Sequence, residues 1–133
     1  MTEAVVQAEI LRTWGARPGL RLFRTNAGAL ADPFGRLIRY GIVGGSDITG
    51  ILAPRGRWLA IECKATRGRQ SEEQKAFERM VLAHGGVYLL VRTLEEASRG
   101  IRAALDEEDA ITDCLRTGLT CVDPKLLVPG RLA

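Results

Sequence analysis

Apolar residues recur at helical spacing over residues 2–15. Val5, Val6, Ile10 and Trp14, joined by Ala8 and Leu11, form one stripe, and Thr2 is placed to cap it. After a break at residues 15–19, LRLFRT over residues 20–25 reads as a strand. Residues 26–45 show no convincing period. They are rich in glycine and carry Asp32-Pro33, Arg36 and Arg39, and at about twenty residues the segment exceeds the usual connection, which favours a functional loop. Residues 47–53 and 58–65 form two arms of a hairpin around the turn signal Pro54-Arg55-Gly56. A basic connection, Thr66-Arg67-Gly68-Arg69, follows. Ser71 and Gln74 match a capping box that starts a helix over residues 71–84, stopped by Gly85-Gly86. VYLLV at residues 87–91 is a short buried strand, and Thr93 caps a helix over residues 94–105. One more helix is expected over residues 108–116, with no end that can be placed.

Polar residues interrupt this pattern at one point. Strand side chains alternate faces, so along residues 58–65 Trp58, Ala60, Glu62 and Lys64 share one side, and Leu59, Ile61, Cys63 and Ala65 the other. A carboxylate and an ammonium therefore stand at the end of an otherwise apolar strand face. Desolvating them is costly unless they pair or bind an ion. Asp47, at the start of the neighbouring arm, is the natural third member of a divalent-metal site.

Composition bounds the answer further. The 133 residues, 46% hydrophobic and 26% charged, fit one domain spanning 1–133, with a core at about 2–105 and an extension over 106–133. No apolar run nears the ~18 residues that span a bilayer, and the first ten residues lack the pattern of a signal peptide, so a cytoplasmic protein with no membrane partner is expected. Cys63, Cys114 and Cys121 form no CxxC pair, which argues against a disulfide framework or zinc cluster. Cys63 reads as a small core residue and His84 as a helix-end residue. The net charge of +3 hides an asymmetry: residues 12–69 hold eleven Lys/Arg against Asp32, Asp47 and Glu62, whereas residues 70–133 hold eight basic and eleven acidic residues. A basic half around a small acidic site suits a polyanion cut at a metal.

Asp47 precedes the Glu62-Cys63-Lys64 triplet by about the length of a hairpin. Together with GGSDITG, IECKA, the SxxQ helix start and the later GGVYLLVR, this order resembles the PD-(D/E)xK nuclease superfamily, and within it the VRR-NUC family, over residues 2–105. Ser46 stands where the superfamily name has proline, a replacement usual in VRR-NUC proteins. The resemblance implies an α/β, restriction-endonuclease-like core, a mixed four-stranded sheet flanked by helices in the order αβββαβ, with a C-terminal helical extension. It implies Mg²⁺ or Mn²⁺ held by Asp47, Glu62 and the main-chain carbonyl of Cys63. Lys64 would orient or deprotonate the attacking water, or neutralise charge growing on the phosphate, and Gln74 would support that water or Lys64. Glu3 matches the first-helix acid, with Glu9 as the fallback. Gln74 also suits the helix cap, and the two roles compete.

The expected activity is metal-dependent hydrolysis of DNA phosphodiesters on branched DNA, such as Holliday junctions, by a homodimer with an interface after Leu94. A flap nuclease or nickase of the same fold, or a non-catalytic DNA-binding module, are the alternatives. Arg24, Asn26, Arg36, Arg39, Ser46, Arg67 and Arg69 are the residues expected to meet DNA. No base-reading motif is present, so sequence specificity should be low.

Overall fold

A computed structural model describes residues 1–117. The elements are α1 (Glu3–Trp14), β1 (Leu20–Arg24), β2 (Gly28–Ala31), β3 (Leu37–Tyr40), β4 (Ile48–Leu52), β5 (Arg57–Cys63), α2 (Glu72–Ala83), β6 (Val87–Val91) and α3 (Leu94–Thr117). Four strands form one mixed sheet in the order β1-β4-β5-β6. β4 is antiparallel to both β1 and β5, while β5 and β6 run parallel, with α2 as the crossover between them.

The alternation along β5 sorts the layers. Leu59, Ile61 and Cys63 face α1 and α3, where Val6, Ile10, Trp14, Ala97, Ile101 and Ala104 complete the main core. Ala60, on the opposite face, meets Phe77 and Val81 of α2, with Tyr88 beside them. Trp14 is only 4% exposed, and its indole N–H donates to Ser98 Oγ at 2.9 Å, tying α1 to α3 through a satisfied buried pair. Trp58 lies on the α2 side of the sheet and is 45% exposed.

Two expectations need correction. Residues 26–45 are not an irregular loop: β2 and β3 pair antiparallel as a separate ribbon, with Leu30 opposite Ile38. Every residue of both strands is exposed, so burial imposes no alternation for a sequence pattern to display. The ribbon's turn is made by Asp32, whose carboxylate accepts from the N–H groups of Phe34 and Arg36 and from Arg36 Nε.

Against expectation, α3 runs unbroken through residues 105–108. Its acidic run faces partners at the turn end of the β4–β5 hairpin. Glu108, 1% exposed, takes two hydrogen bonds from the Arg55 guanidinium at 3.0 and 2.8 Å, and Glu107 pairs with Arg57 at 2.7 Å. The expected extension over 106–133 is thus a continuation of one helix as far as Thr117, and its remainder lies outside the described residues. Among the described residues, no helix is long and apolar enough to cross a membrane.

Candidate active site

The acidic residues come together through strand register. Ile48 lies opposite Ile61 in the β4–β5 ladder, so one step further Asp47 stands opposite Glu62 on the same face. Backbone bonds fix Asp47 on two sides: its carbonyl accepts from Thr25 N–H at 2.9 Å, and its Oδ2 accepts from Cys63 N–H at 2.8 Å. Gly44 sets the approach to it. With φ at 75° and its α-carbon against Glu73, that position has no room for a side chain: a Cβ would lie 2.4 Å from the Glu73 carbonyl carbon.

Glu62 is 2% exposed. Its Oε1 accepts from Gln74 Nε2 at 2.8 Å and lies 3.2 Å from Lys64 Nζ. Its Oε2 is buried without a hydrogen-bond partner. Burial, first, and then the neighbouring Asp47 charge push the Glu62 carboxyl up to about 7, against the pull of Lys64. Asp47 is raised as well, chiefly by burial and further by the Glu3 charge, while the Cys63 N–H, Lys64 and Arg24 draw it down. Burial likewise pushes the Cys63 thiol to about 12, so this side chain serves the core as a neutral group.

Gln74 does not have to choose between cap and site. Its Oε1 accepts from Ser71 N–H at 2.9 Å while its Nε2 reaches Glu62. An amide has an acceptor end and a donor end, and the two are used separately here. Glu3, in the first turn of α1, accepts from Ala65 N–H at 3.0 Å, which brings it beside the end of β5. No hydrogen bond or ion pair connects Glu9 to the described residues of the site.

The residues expected to meet DNA divide into groups. Arg24 and Asn26 line a cavity of about 300 Å³ that also includes Asp47. Arg39, Arg67 and Arg69 are exposed, on the ribbon and on the connection before α2. Arg36 is held by Asp32 at 2.7 Å, with its guanidinium over the Phe34 ring. Ser46 lines the same cavity; it is 3% exposed and its hydroxyl donates to Ile48 O at 3.0 Å, which shapes the approach to Asp47. The charge asymmetry along the chain also shrinks in space, because acids from α3 engage Arg55 and Arg57. Gln7, which lines the same cavity, was not singled out from the sequence. Only its place four residues beyond Glu3, one helical turn on, pointed there.

Among the described residues, no three His, Cys, Asp or Glu side chains make a metal-holding group by themselves. The fit to a cation rests instead on two carboxylates and the main chain. The partnerless Glu62 Oε2 is one oxygen available for it. Asp47 Oδ1, free of the bond that engages Oδ2, is another. The Cys63 carbonyl leaves β5 on the same edge as the N–H that binds Asp47. An oxygen set this small suits Mg²⁺, which keeps several waters. No protein-family model matches the chain, and no match emerges among curated proteins.

Proposed function

We propose that the protein is a divalent-cation-dependent deoxyribonuclease with a restriction-endonuclease-like core, similar to the VRR-NUC family, cutting branched DNA such as a Holliday junction. One observation carries the reading. A buried carboxylate oxygen with no partner, Glu62 Oε2, lies beside a second carboxylate, whereas Glu108, the other buried acid among the described residues, has both oxygens hydrogen-bonded. Leaving such an oxygen orphaned costs about 1–3 kcal/mol or more, and a site that binds a cation explains why it is kept.

Asp47, Glu62 and the Cys63 carbonyl would hold Mg²⁺ or Mn²⁺. Bound there, the ion lowers the pKa of a coordinated water and offsets charge on the phosphate in the transition state. The chain's own residues divide the remaining work. Gln74 and Lys64 both approach Glu62 Oε1, which fixes the carboxylate and leaves Oε2 directed away from them. The Lys64 ammonium, partly exposed at this edge, is placed to orient a water or meet a phosphate oxygen. Glu3, anchored on Ala65 N–H, keeps α1 against the end of β5 and adds negative charge near Asp47. Arg24, Arg67 and Arg69 supply exposed positive charge for the DNA backbone. Symmetric cutting of two strands calls for two copies of the chain.

Purified protein incubated with four-way, flapped and linear DNA tests this. Cleavage with Mg²⁺ or Mn²⁺, its absence in EDTA and its loss in Glu62→Ala and Lys64→Ala are expected. The cut positions separate a junction resolvase from a flap nuclease or nickase. Unchanged cleavage in both variants would remove the site assignment. Failure of the wild type to cut any of the three with either ion would leave a DNA-binding module.

A further inference from the structure

The cavity that opens beside Asp47 has a composition the hydrolytic site does not explain. Its walls include Gln7 from α1, Arg24 at the end of β1, Thr25, Asn26 and Ile42, with Asp47 at one side. Thr25 Oγ1 is bonded to Thr49 Oγ1, but no hydrogen bond or ion pair to a described residue occupies the side chains of Gln7, Arg24 or Asn26. Several arginines among the described residues do have partners, such as Arg36 on Asp32, Arg55 on Glu108 and Arg57 on Glu107. Two amides and a guanidinium converge unspent on one space, with an apolar side chain, Ile42, half-exposed at its rim.

We propose that this cavity binds one deoxynucleotide turned out of the base stack, next to the phosphate that is cut. The inference rests on the nuclease reading and names its substrate class: DNA with an unpaired nucleotide at a branch or flap, in preference to continuous duplex. The size sets the class. A cavity of about 300 Å³ lies at the small end of ligand sites, which run from roughly 300 to 1,000 Å³. A duplex, whose major groove alone is about 12 Å wide, cannot enter it, whereas a single extruded nucleotide can.

The chemistry sets the ligand. Carboxamides present a donor and an acceptor side by side, which matches the edge of a base once its pairing partner is gone. Ile42 offers an apolar surface to the base face. The Arg24 guanidinium suits a phosphate oxygen, and it lines the same cavity as Asp47, so a phosphate held there lies toward the carboxylates. Extruding a base costs a few kcal/mol from a paired stack and least from DNA that is already unpaired. The pocket thereby favours unpaired over paired DNA.

The test uses the full chain in EDTA, so that nothing is cut. Titration with dAMP or dTMP, followed by amide resonances, should shift Gln7, Thr25, Asn26, Ala27 and Gly45, with a dissociation constant on the order of 1 mM. Inorganic phosphate should bind at least about tenfold more weakly, since it lacks the base contacts. Gln7→Ala and Asn26→Ala should each weaken dAMP binding several-fold while leaving the shifts of distant residues unchanged. A duplex with one unpaired 2-aminopurine should change its fluorescence on binding, and the fully paired duplex should not. Shifts confined to the Arg67–Arg69 connection, no binding at about 10 mM nucleotide, or phosphate binding as well as dAMP would each overturn the proposal. Because no divalent cation is present, the pocket can fail while cleavage with Mn²⁺ stands. The reverse result would equally be visible.

Discussion

The two ends of the β4–β5 hairpin each bury a glutamate, and they treat it differently. At the turn end, Glu108 receives Arg55 on both oxygens, and Arg57 lies 3.8 Å away. Arginine's fork matches a carboxylate, so a 1%-exposed acid there is neutralised and fully hydrogen-bonded. At the open end, Glu62 is buried to the same degree but has two donors on one oxygen and none on the other. The Arg55 guanidinium is held more firmly protonated by Glu108, whereas Glu62 is pushed toward the neutral form. The same residue type at the same burial is a clamp where its valences are filled, and under the proposed function it is a ligand where one is left open.

The comparison can be tested by removing each acid in turn. Glu62→Ala should lower the cleavage rate by at least about 10³-fold, because the ion's charge stabilisation goes with it. Glu108→Ala should leave the rate per folded molecule within about threefold, since it lies at the far end of the hairpin from the site. Measured on folded protein, equal losses in the two variants would collapse the distinction. Stability should respond in the opposite sense. Glu108→Ala takes the bidentate carboxylate away from Arg55, while Arg57 keeps Glu107, and should cost about 3–5 kcal/mol in urea unfolding. Glu62→Gln removes an under-satisfied charge and should be neutral or stabilising without added metal.

Acidity gives a finer measure. The Glu62 carboxyl is raised to about 7 in the folded chain, from 4.5. The folded state therefore binds its proton more tightly than the unfolded chain does. Keeping Glu62 ionised costs stability in full above about pH 7, and that cost fades as the pH falls toward 4.5. In EDTA this group should add stability on acidification across that window, by up to about 1.4 kcal/mol per pH unit. Glu62→Gln should remove that part of the slope, and Glu108→Gln should not. For the same reason Mn²⁺ affinity should fall as the pH drops below 7, by up to about tenfold per unit, as read by calorimetry.

The smallest effect separates the two ends of one amide. Gln74→Glu keeps an acceptor for Ser71 N–H, so the cap should survive and helix stability should change by less than about 1 kcal/mol. It removes the donor to Glu62 and adds a like charge, so cleavage should fall about 10- to 100-fold. Gln74→Leu should lose both.

Much of this was legible in the chain because burial writes a period. Alternation along residues 58–65 set Glu62 and Lys64 on one face and Cys63 on the other, and the hairpin length placed Asp47 opposite. What was missed lacked that imprint. β2 and β3 are exposed on both faces, so their residues carry no alternation. The acidic run at residues 106–109 resembles a helix break, and only Arg55 and Arg57, some fifty positions earlier, show why Glu107 and Glu108 can continue α3. A residue's partners across the sheet are invisible to any local window.

The two tryptophans lie on opposite faces of the sheet, Trp14 sealed between α1 and α3 and Trp58 open beside α2. The molecule thus carries a pair of intrinsic optical reporters with separate jobs. Emission from Trp14 should stay blue until the α1–α3 layer comes apart. Trp58 should be the one that an aqueous quencher reaches first, so a titration that dims it alone would register an event on the α2 side of an intact molecule.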